Sequence, residues 1–299
     1  MSKPIIFKGS GVAIVTPFTA DGSEINYKSF AELIEFQIKG KTDAIIVCGT
    51  TGEASTMSDS ERTQLIKFAV QTVAGRVPVI AGTGSNSTSH ALELSQEAEQ
   101  LGVDGLLMVT PYYNKTTQKG LVAHYETIAN AVSKPIIVYN VPSRTGLCVS
   151  AETAKILSNH PNIIAIKEAS GNLSLASNIA ALCGENLHIY SGDDDCILPI
   201  LSIGGLGVIS TVANIAPEDT HNICGKFFAD DIVGSRAIQL KMLDLIAAIF
   251  CEVNPIPVKT ALNLKGFDVG TLRLPLCEMS ESNLNRLKTA LDNYIKTPA

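Results

Sequence analysis

The chain has 299 residues, of which 45% are hydrophobic and 17% charged, and its formal net charge is −6. This is the composition of an ordinary globular protein with a sizeable core. A net negative charge without a basic run argues against nucleic acid and anionic membranes as partners, and no apolar segment reaches the roughly 18 residues of a membrane span.

The cellular compartment is indicated by the N-terminus and the cysteines. Residues 1–10 contain too short an apolar run for a signal peptide. The seven cysteines are scattered singly, and none forms a C-x-x-C pair. Thiols of this kind are typical of a reducing compartment, where several serve as small core hydrophobes. The sequence therefore predicts a cytoplasmic protein.

Short β-rich runs alternate with amphipathic helical patterns as far as Ser210. Strands are predicted near residues 12–16, 44–48, 79–81, 105–109, 136–139, 163–167, 188–191 and 207–210. Helical patterns between them include residues 30–38, 65–73, 90–101 and 121–132. The second is preceded by the capping-box sequence Ser-Asp-Ser-Glu at 58–61. Beyond Ser210 the pattern is helical, over 217–229, 233–250, 258–264 and 281–294.

Eight strands that alternate with helices predict a parallel sheet, and eight is the number that closes a barrel. An open doubly wound sheet is the alternative. Such a sheet usually carries a glycine-rich loop after its first strand, whereas here the first strand runs into Pro17 and Phe18. We predict a (β/α)8 TIM barrel over residues 1–215 that carries the active site, with a C-terminal helical appendage over residues 216–299.

Lys167 ends the sixth strand, Ile-Ile-Ala-Ile-Lys at 163–167. Alternation predicts that Ile164 and Ile166 share one face, with Ile163, Ala165 and Lys167 on the other. An ammonium that points into a packed interior is costly unless it is paired or shifts its pKa. A lysine that loses its proton near neutrality is a nucleophile that forms Schiff bases with carbonyls. The alternative is a strand-end lysine that extends into water.

Other strands deliver polar residues to the same rim, because active sites of such barrels lie at the carboxyl ends of strands. The second strand is followed by Gly-Thr-Thr-Gly-Glu at 49–53, the fifth by Tyr-Asn-Val-Pro-Ser-Arg-Thr-Gly at 139–146, and the seventh by three aspartates at 193–195. Taken alone, the first motif is explained by a turn, the arginine of the second by solvation at the surface, and the aspartates by a helix N-cap followed by first-turn acids. A metal site would have only Glu53, Glu168 and Asp193 as carboxylates, with no histidine beside them.

Together these residues describe a particular chemistry. A lysine nucleophile, a tyrosine acid and base, paired threonine hydroxyls and an arginine at one rim indicate a Schiff-base lyase that acts on a small α-keto acid.

Residues 49–53, 139–146 and 166–168 strongly resemble the dihydrodipicolinate synthase family. This family lies within the pyruvate-dependent class I aldolases that include N-acetylneuraminate lyase, and the resemblance runs from about Gly9 to the C-terminal helices. It implies a (β/α)8 barrel that assembles as a homotetramer of two tight dimers. It also implies condensation of pyruvate with L-aspartate-4-semialdehyde and cyclisation, in lysine and diaminopimelate biosynthesis, with no metal and no organic cofactor.

The resemblance implies the catalytic residues motif by motif. Lys167 forms the imine with pyruvate, and Tyr139 donates and accepts protons. Thr50, Tyr139 and Tyr113 form a proton relay, to which Tyr113 is contributed across the tight-dimer interface. A hydrogen bond to Thr50 is expected to orient Tyr139.

The resemblance also implies the substrate contacts. Thr50 and Thr51 hold the pyruvate carboxylate, Arg144 binds the carboxylate of the semialdehyde, and backbone carbonyls near Gly192 and Ile209 complete the pocket. Neuraminate lyases resemble one another in having Ser before Thr in the strand-2 motif and no Arg in the Tyr-Asn-x-Pro loop. Thr50 and Arg144 therefore favour the synthase.

A feedback site for L-lysine is the point where the chain departs from the family. Inhibited members use a Ser-Ala pair, two histidines, an Asn, a Glu and a Tyr. The residues at those positions here are Ala54, Ser55, Asp59, Arg62, Asn86, His90 and Tyr112. Because His90 replaces the glutamate and Arg62 adds a cation, we predict weak or absent inhibition by L-lysine.

Two competing functions stay open at this point. One is a retro-aldol lyase or dehydratase acting on a sugar-derived keto acid, against which Ser143-Arg144 argues. The other is a catalytically silent barrel used as a binding scaffold, which predicts that the lysine or the tyrosine is missing, whereas both are present.

Overall fold

Eight parallel strands pair in chain order and close into a barrel, with the last strand next to the first. The computed structural model describes residues 3–296. The strands are β1 (Gly9–Ala13), β2 (Ala44–Val47), β3 (Val79–Gly82), β4 (Gly105–Val109), β5 (Ile136–Asn140), β6 (Ile163–Glu168), β7 (His188–Ser191) and β8 (Gly207–Ser210). The predicted TIM barrel is confirmed, and the open sheet is wrong because β1 pairs with both β2 and β8.

Helices follow the strands and continue beyond the last one. They are α1 (Tyr27–Lys39), α2 (Asp59–Val73), α3 (Thr88–Gln100), α4 (Gln118–Ala129), α5 (Pro142–Thr145), α6 (Ala151–Leu157), α7 (Leu173–Cys183), α8 (Ile197–Ser202), α9 (Pro217–Phe228), α10 (Ile232–Ile249), α11 (Ile256–Leu264) and α12 (Glu281–Lys296). The predicted capping box opens α2: the Ser58 hydroxyl accepts from the Glu61 N–H, and the Glu61 carboxylate accepts from the Ser58 N–H.

The first strand begins earlier than its apolar pattern predicts, at Gly9 rather than residue 12. Pairing sets this start, since Gly9 lies opposite Gly207 in β8. A Cβ on Gly207 would lie 1.8 Å from the Gly9 carbonyl oxygen, so the contact requires glycine. Small residues at this crossing carry no apolar signal, and the prediction therefore missed them.

An irregularity in β6 corrects the predicted alternation of side chains. The register with β5 shifts after Ile136, which pairs with Ile163, whereas Ile137 pairs with Ala165. The skipped residue, Ile164, therefore packs in the barrel interior beside Ala165, while Ile163 packs outside against the helices. A bulge of this kind breaks a strict period of two.

The barrel interior holds its own apolar cluster, separate from the larger one between strands and helices. Within it, the ring of Tyr190 in β7 stacks on Phe7, with centroids 4.4 Å apart. Because Phe7 precedes β1, this aromatic pair fills the amino end of the barrel. The carboxyl ends of the strands are left to form the site.

The C-terminal region packs back onto the barrel. Helix α9 packs against β1 and α10, and α12 packs against α10 and α11. The division at residues 215 and 216 stays a prediction, although α9 packs on β1 as a barrel helix does. Within residues 3–296, no helix combines the length and the apolarity needed to cross a membrane.

Candidate active site

A cavity of about 270 Å³ opens at the carboxyl ends of the strands, between the loops after β2, β4 and β5. Three of the residues predicted for catalysis and substrate binding line it: Thr50, Tyr139 and Arg144. They are 94 residues apart in sequence at most, counting from Thr50 to Arg144. They meet because parallel strands of one barrel end at the same rim.

Lys167 does not itself line this cavity, but it contacts Tyr139, which does. Its strand position is directly opposite Tyr139 in β5, and its Nζ lies 4.2 Å from the centroid of the Tyr139 ring. A cation over an aromatic face at this distance is an attractive contact. Only 6% of Lys167 is exposed, so the alternative of a lysine extended into water is wrong.

Gly192, after β7, allows this placement of the lysine. A Cβ on Gly192 would lie 3.0 Å from Lys167 Cε and 2.5 Å from the Ala169 Cβ. Any side chain here would press on the lysine. Ile209 is a fully buried member of the inner cluster, in β8. Neither residue lines the cavity, and their carbonyl contacts with substrate stay a prediction.

The expected hydrogen bond between Thr50 and Tyr139 is not formed. Within the described chain the two side chains line the same cavity without a hydrogen bond between them. The Tyr139 ring is instead held by packing in the inner apolar cluster and by the Lys167 ammonium.

Thr51 differs from its neighbour Thr50 in being buried, with 2% of its surface exposed. Its Oγ1 accepts a hydrogen bond of 2.9 Å from the Asn254 carboxamide and lies 3.4 Å from the Thr211 hydroxyl. Arg144, on α5, donates from Nη2 to the Asn254 carbonyl at 3.2 Å. Asn254 was missed by sequence reasoning because it lies 203 residues from Thr51 and belongs to no motif.

Glu53 ends the strand-2 motif in a buried ion pair rather than a metal site. Its Oε1 lies 2.7 Å from Lys259 Nζ, and neither side chain has more than 1% of its surface exposed. Glu53 adopts a left-handed backbone conformation, with φ of 53°. Lys259 also donates to the Thr271 carbonyl at 2.7 Å. The pair therefore ties the strand-2 loop to α11, a contact that the sequence did not indicate.

The aspartates after β7 lie where a helix start was predicted: Asp193 is at the N-cap of a short 3-10 turn over Asp194–Cys196, with Asp194 and Asp195 in its first turn, although the Asp193 side chain makes no capping hydrogen bond. Asp194 instead accepts from the backbone N–H groups of Thr211 (3.1 Å) and Val212 (2.8 Å). Asp194 thus fixes the loop after β8. Burial raises the pKa of Asp193 to about 6, helped by the nearby Asp195 charge and opposed by Lys167.

The Asp193 carboxyl makes stability depend on pH. Its folded pKa of about 6 exceeds the unfolded value of 3.8, so the folded state binds this proton more tightly and stability falls as pH rises through that window. We expect Asp193→Asn to stabilise the fold by about 1–3 kcal/mol near pH 8 and by almost nothing below about pH 4. Urea unfolding at both pH values measures this. A stability difference between Asp193→Asn and the parent that is the same at both pH values would contradict this expectation.

Tyr113 lies outside the cavity of its own chain. It is 90% exposed, and its backbone is left-handed, with φ of 69°. The adjacent Tyr112 lines the cavity instead. An exposed aromatic ring on a strained backbone is suited to a contact outside this chain. The relay role of Tyr113 stays a prediction.

The residues predicted for a lysine effector form a cluster beside the cavity. Ser55, Tyr112 and Arg62 line it, while the Asn86 carbonyl accepts from Asn114. The His90 ring bonds the Asp59 carboxylate at 3.0 Å. Arg62 donates to the Gly82 carbonyl and lies 3.7 Å from Asp59. Asp59 therefore already has two cationic or hydrogen-bonding neighbours.

The described residues hold no cluster of metal ligands. Over residues 3–296, no three His, Cys, Asp or Glu side chains converge as a group of ligands. Two of the carboxylates considered from sequence have protein partners: Glu53 pairs with Lys259, and Glu168 accepts from the Asn140 carboxamide at 2.8 Å. Burial raises the pKa of Glu168.

Known proteins resemble this chain along nearly its whole length. Residues 6–294 match the model of the Dihydrodipicolinate synthetase family. The 4-hydroxy-tetrahydrodipicolinate synthase of Clostridium novyi (strain NT) is 55% identical over 292 residues, 98% of each chain. The protein of the same name from Caldicellulosiruptor bescii is 58% identical over 289 residues, 97% of each chain. The crystal structure of dihydrodipicolinate synthase from Aquifex aeolicus is 44% identical with a TM-score of 0.94, and the match covers 97% of this chain and 98% of that one.

Proposed function

The chain belongs to the dihydrodipicolinate synthetase family, and we infer that it condenses pyruvate with L-aspartate-4-semialdehyde and cyclises the product. It is a lyase of the class I aldolase group that acts in lysine and diaminopimelate biosynthesis. The observation that carries the assignment of residues is the contact of the buried Lys167 ammonium with the ring of Tyr139, a residue that lines the cavity.

Lys167 is the nucleophile of the proposed reaction. Its neutral amine adds to C2 of pyruvate, and the carbinolamine loses water to form the imine. Removal of a C3 proton then gives the enamine. The enamine carbon attacks the aldehyde carbon of the second substrate. The semialdehyde's own amine finally attacks C2 and displaces Lys167, which releases the cyclic product and restores the free lysine.

Tyr139 moves the protons of these steps in the proposed reaction. Its ring contacts the Lys167 Nζ and its side chain lines the cavity. The departure of water and the enamine step each need a proton donor or acceptor within reach of the reacting atoms. Thr50 lines the same cavity. Tyr113 completes the relay from a neighbouring subunit in a homotetramer of two tight dimers.

The two substrate carboxylates are held by different groups. Thr50 and Thr51 donate hydroxyl hydrogen bonds to the pyruvate carboxylate, and Arg144 pairs with the carboxylate of the semialdehyde. No metal and no organic cofactor take part in this scheme. A cytoplasmic location agrees with the seven free thiols, all within the described residues.

The proposed reaction is tested by mixing the protein with pyruvate and L-aspartate-4-semialdehyde and following the cyclic product with a coupled reductase. A robust rate with both substrates, lost when either is omitted, supports the assignment. Folded protein that captures pyruvate covalently without condensing it with this aldehyde would instead indicate another aldehyde partner.

Arg144→Ala is expected to weaken the semialdehyde step more than imine formation. Loss of a charged hydrogen-bonded partner lowers kcat/KM for the semialdehyde by about 10- to 100-fold. Covalent capture of pyruvate should change by less than about threefold. Steady-state kinetics and borohydride labelling measure the two steps. Arg236→Ala, an exposed arginine on α10, is the control, and equal losses in both steps would contradict the role.

L-Lysine is expected to inhibit weakly or not at all. An ammonium that enters this cluster meets the buried cation of Arg62. The carboxylate of Asp59 already contacts His90 and Arg62. Both features oppose a second cation. Initial rates over a range of L-lysine concentrations, at constant ionic strength, measure the effect. A sub-millimolar inhibition constant would overturn the prediction.

A further inference from the structure

We propose that Asn254 is a positioning residue that aims the Thr51 hydroxyl at the keto-acid carboxylate and links this carboxylate site to Arg144. The inference rests on the proposed function and deepens it. Asn254 lies just before α11, outside the barrel strands that supply the other site residues.

In the hydrogen bond between Asn254 and Thr51, the carboxamide is the donor and the hydroxyl is the acceptor. The Asn254 carboxamide Nδ2 donates to Thr51 Oγ1 at 2.9 Å. An amide N–H occupies a lone pair of the hydroxyl oxygen, which leaves the hydroxyl proton available to donate elsewhere. The Thr211 hydroxyl, at 3.4 Å, is the other polar neighbour. Thr51 is therefore preset as a donor, as an incoming carboxylate requires.

The same residue touches the second substrate site. The Asn254 backbone carbonyl accepts from Arg144 Nη2 at 3.2 Å. Arg144 is exposed and lies on a helix of four residues. The hydrogen bond to Asn254 therefore restricts the conformations of this long side chain. Asn254 thus joins the groups that receive the two substrate carboxylates.

The segment that presents Asn254 is anchored to the loop it positions. Five residues further along the chain, Lys259 forms the buried ion pair with Glu53. Glu53 and Thr51 lie two residues apart on the strand-2 loop. Two contacts therefore hold this loop against the start of α11, and the Asn254–Thr51 distance is fixed by both.

Packing alone does not explain an asparagine at this position. Asn254 is 7% exposed, and its Oδ1 accepts no hydrogen bond from any residue in the described part of the chain. A buried amide whose carbonyl oxygen has no hydrogen-bond partner is costly to keep. Within residues 3–296 its side chain hydrogen-bonds to Thr51, and to this bond we assign the positioning role.

The test compares two variants with the parent enzyme. Asn254→Leu removes the donor and keeps the branching and the number of heavy atoms of the side chain, and we expect the pyruvate KM to rise about tenfold while kcat stays within about threefold. Asn254→Asp turns the donor into an acceptor, so Thr51 donates to the new carboxylate, and we expect a larger rise. The pyruvate concentration that gives half-maximal borohydride labelling should rise in parallel, without any second substrate.

A matched control and a double-mutant cycle separate positioning from stability. Asn263→Asp also removes an amide donor on α11, one that bonds the Gly270 carbonyl away from the cavity, and should leave the pyruvate KM unchanged. Thr51→Val should abolish the effect of Asn254→Leu, because the two side chains act through one hydrogen bond. An unchanged pyruvate KM in Asn254→Leu, or additive effects in the cycle, overturns the inference. A parent enzyme that condenses neither substrate overturns the proposed function instead.

Discussion

Lys167→Ala is expected to abolish the covalent capture of pyruvate and to lower the condensation rate by about 10³-fold or more, as loss of a covalent nucleophile does. The imine needs a primary amine at this position, and the lysine lies directly opposite Tyr139 in the sheet. Borohydride reduction in the presence of pyruvate, followed by mass spectrometry, measures capture. The coupled assay measures turnover.

The fold should survive this change. Lys167 lies at the end of β6, with 6% of its surface exposed, and its removal takes a cation, not an apolar core residue, out of the interior. Circular dichroism and thermal unfolding check this. The exposed Lys119→Ala on α4 serves as the matched control and should label as the parent does. Labelling retained in Lys167→Ala, or mapped to another lysine, would remove Lys167 from its role.

Lys259→Met is expected to destabilise the folded state by about 3–5 kcal/mol, because it leaves the Glu53 carboxylate buried and unpaired. Glu53 has 1% of its surface exposed, and among the described residues the other hydrogen bond to its carboxylate comes from the Arg273 backbone N–H at 3.2 Å. Methionine keeps most of the side-chain volume, so the loss reports the missing charge. Chemical denaturation with a two-state fit measures it.

The double variant Glu53→Gln/Lys259→Met removes both charges and should recover part of the lost stability, since no ion is then left unpaired. Lys41→Met, which breaks the exposed Lys41–Glu218 pair of 3.6 Å, should cost no more than about 1 kcal/mol. If Lys259→Met loses as little stability as Lys41→Met does, the buried pair does not stabilise the loop.

Hydrophobic periodicity accounts for what could be predicted of the fold. Seven of the eight strands begin at the residue that their apolar runs predict, because a strand buried on both faces reads as a continuous apolar run. The exception is β1, whose Gly9, Ser10 and Gly11 carry no such signal. The bulge at Ile164 also leaves no trace in the sequence, since it arises from pairing with β5.

The sequence by itself determined the barrel and the set of side chains at its rim. Each strand carries its own chemistry at its carboxyl end, so Lys167, Tyr139, Thr50 and Arg144 could be assigned to one site before any contact was known. Only the tertiary structure decided what holds the strand-2 loop at this rim: the hydrogen bond that Asn254 donates to Thr51 and the buried Lys259–Glu53 pair. These contacts join residues more than 200 positions apart. They depend on distance and direction in the folded chain, and periodicity carries neither.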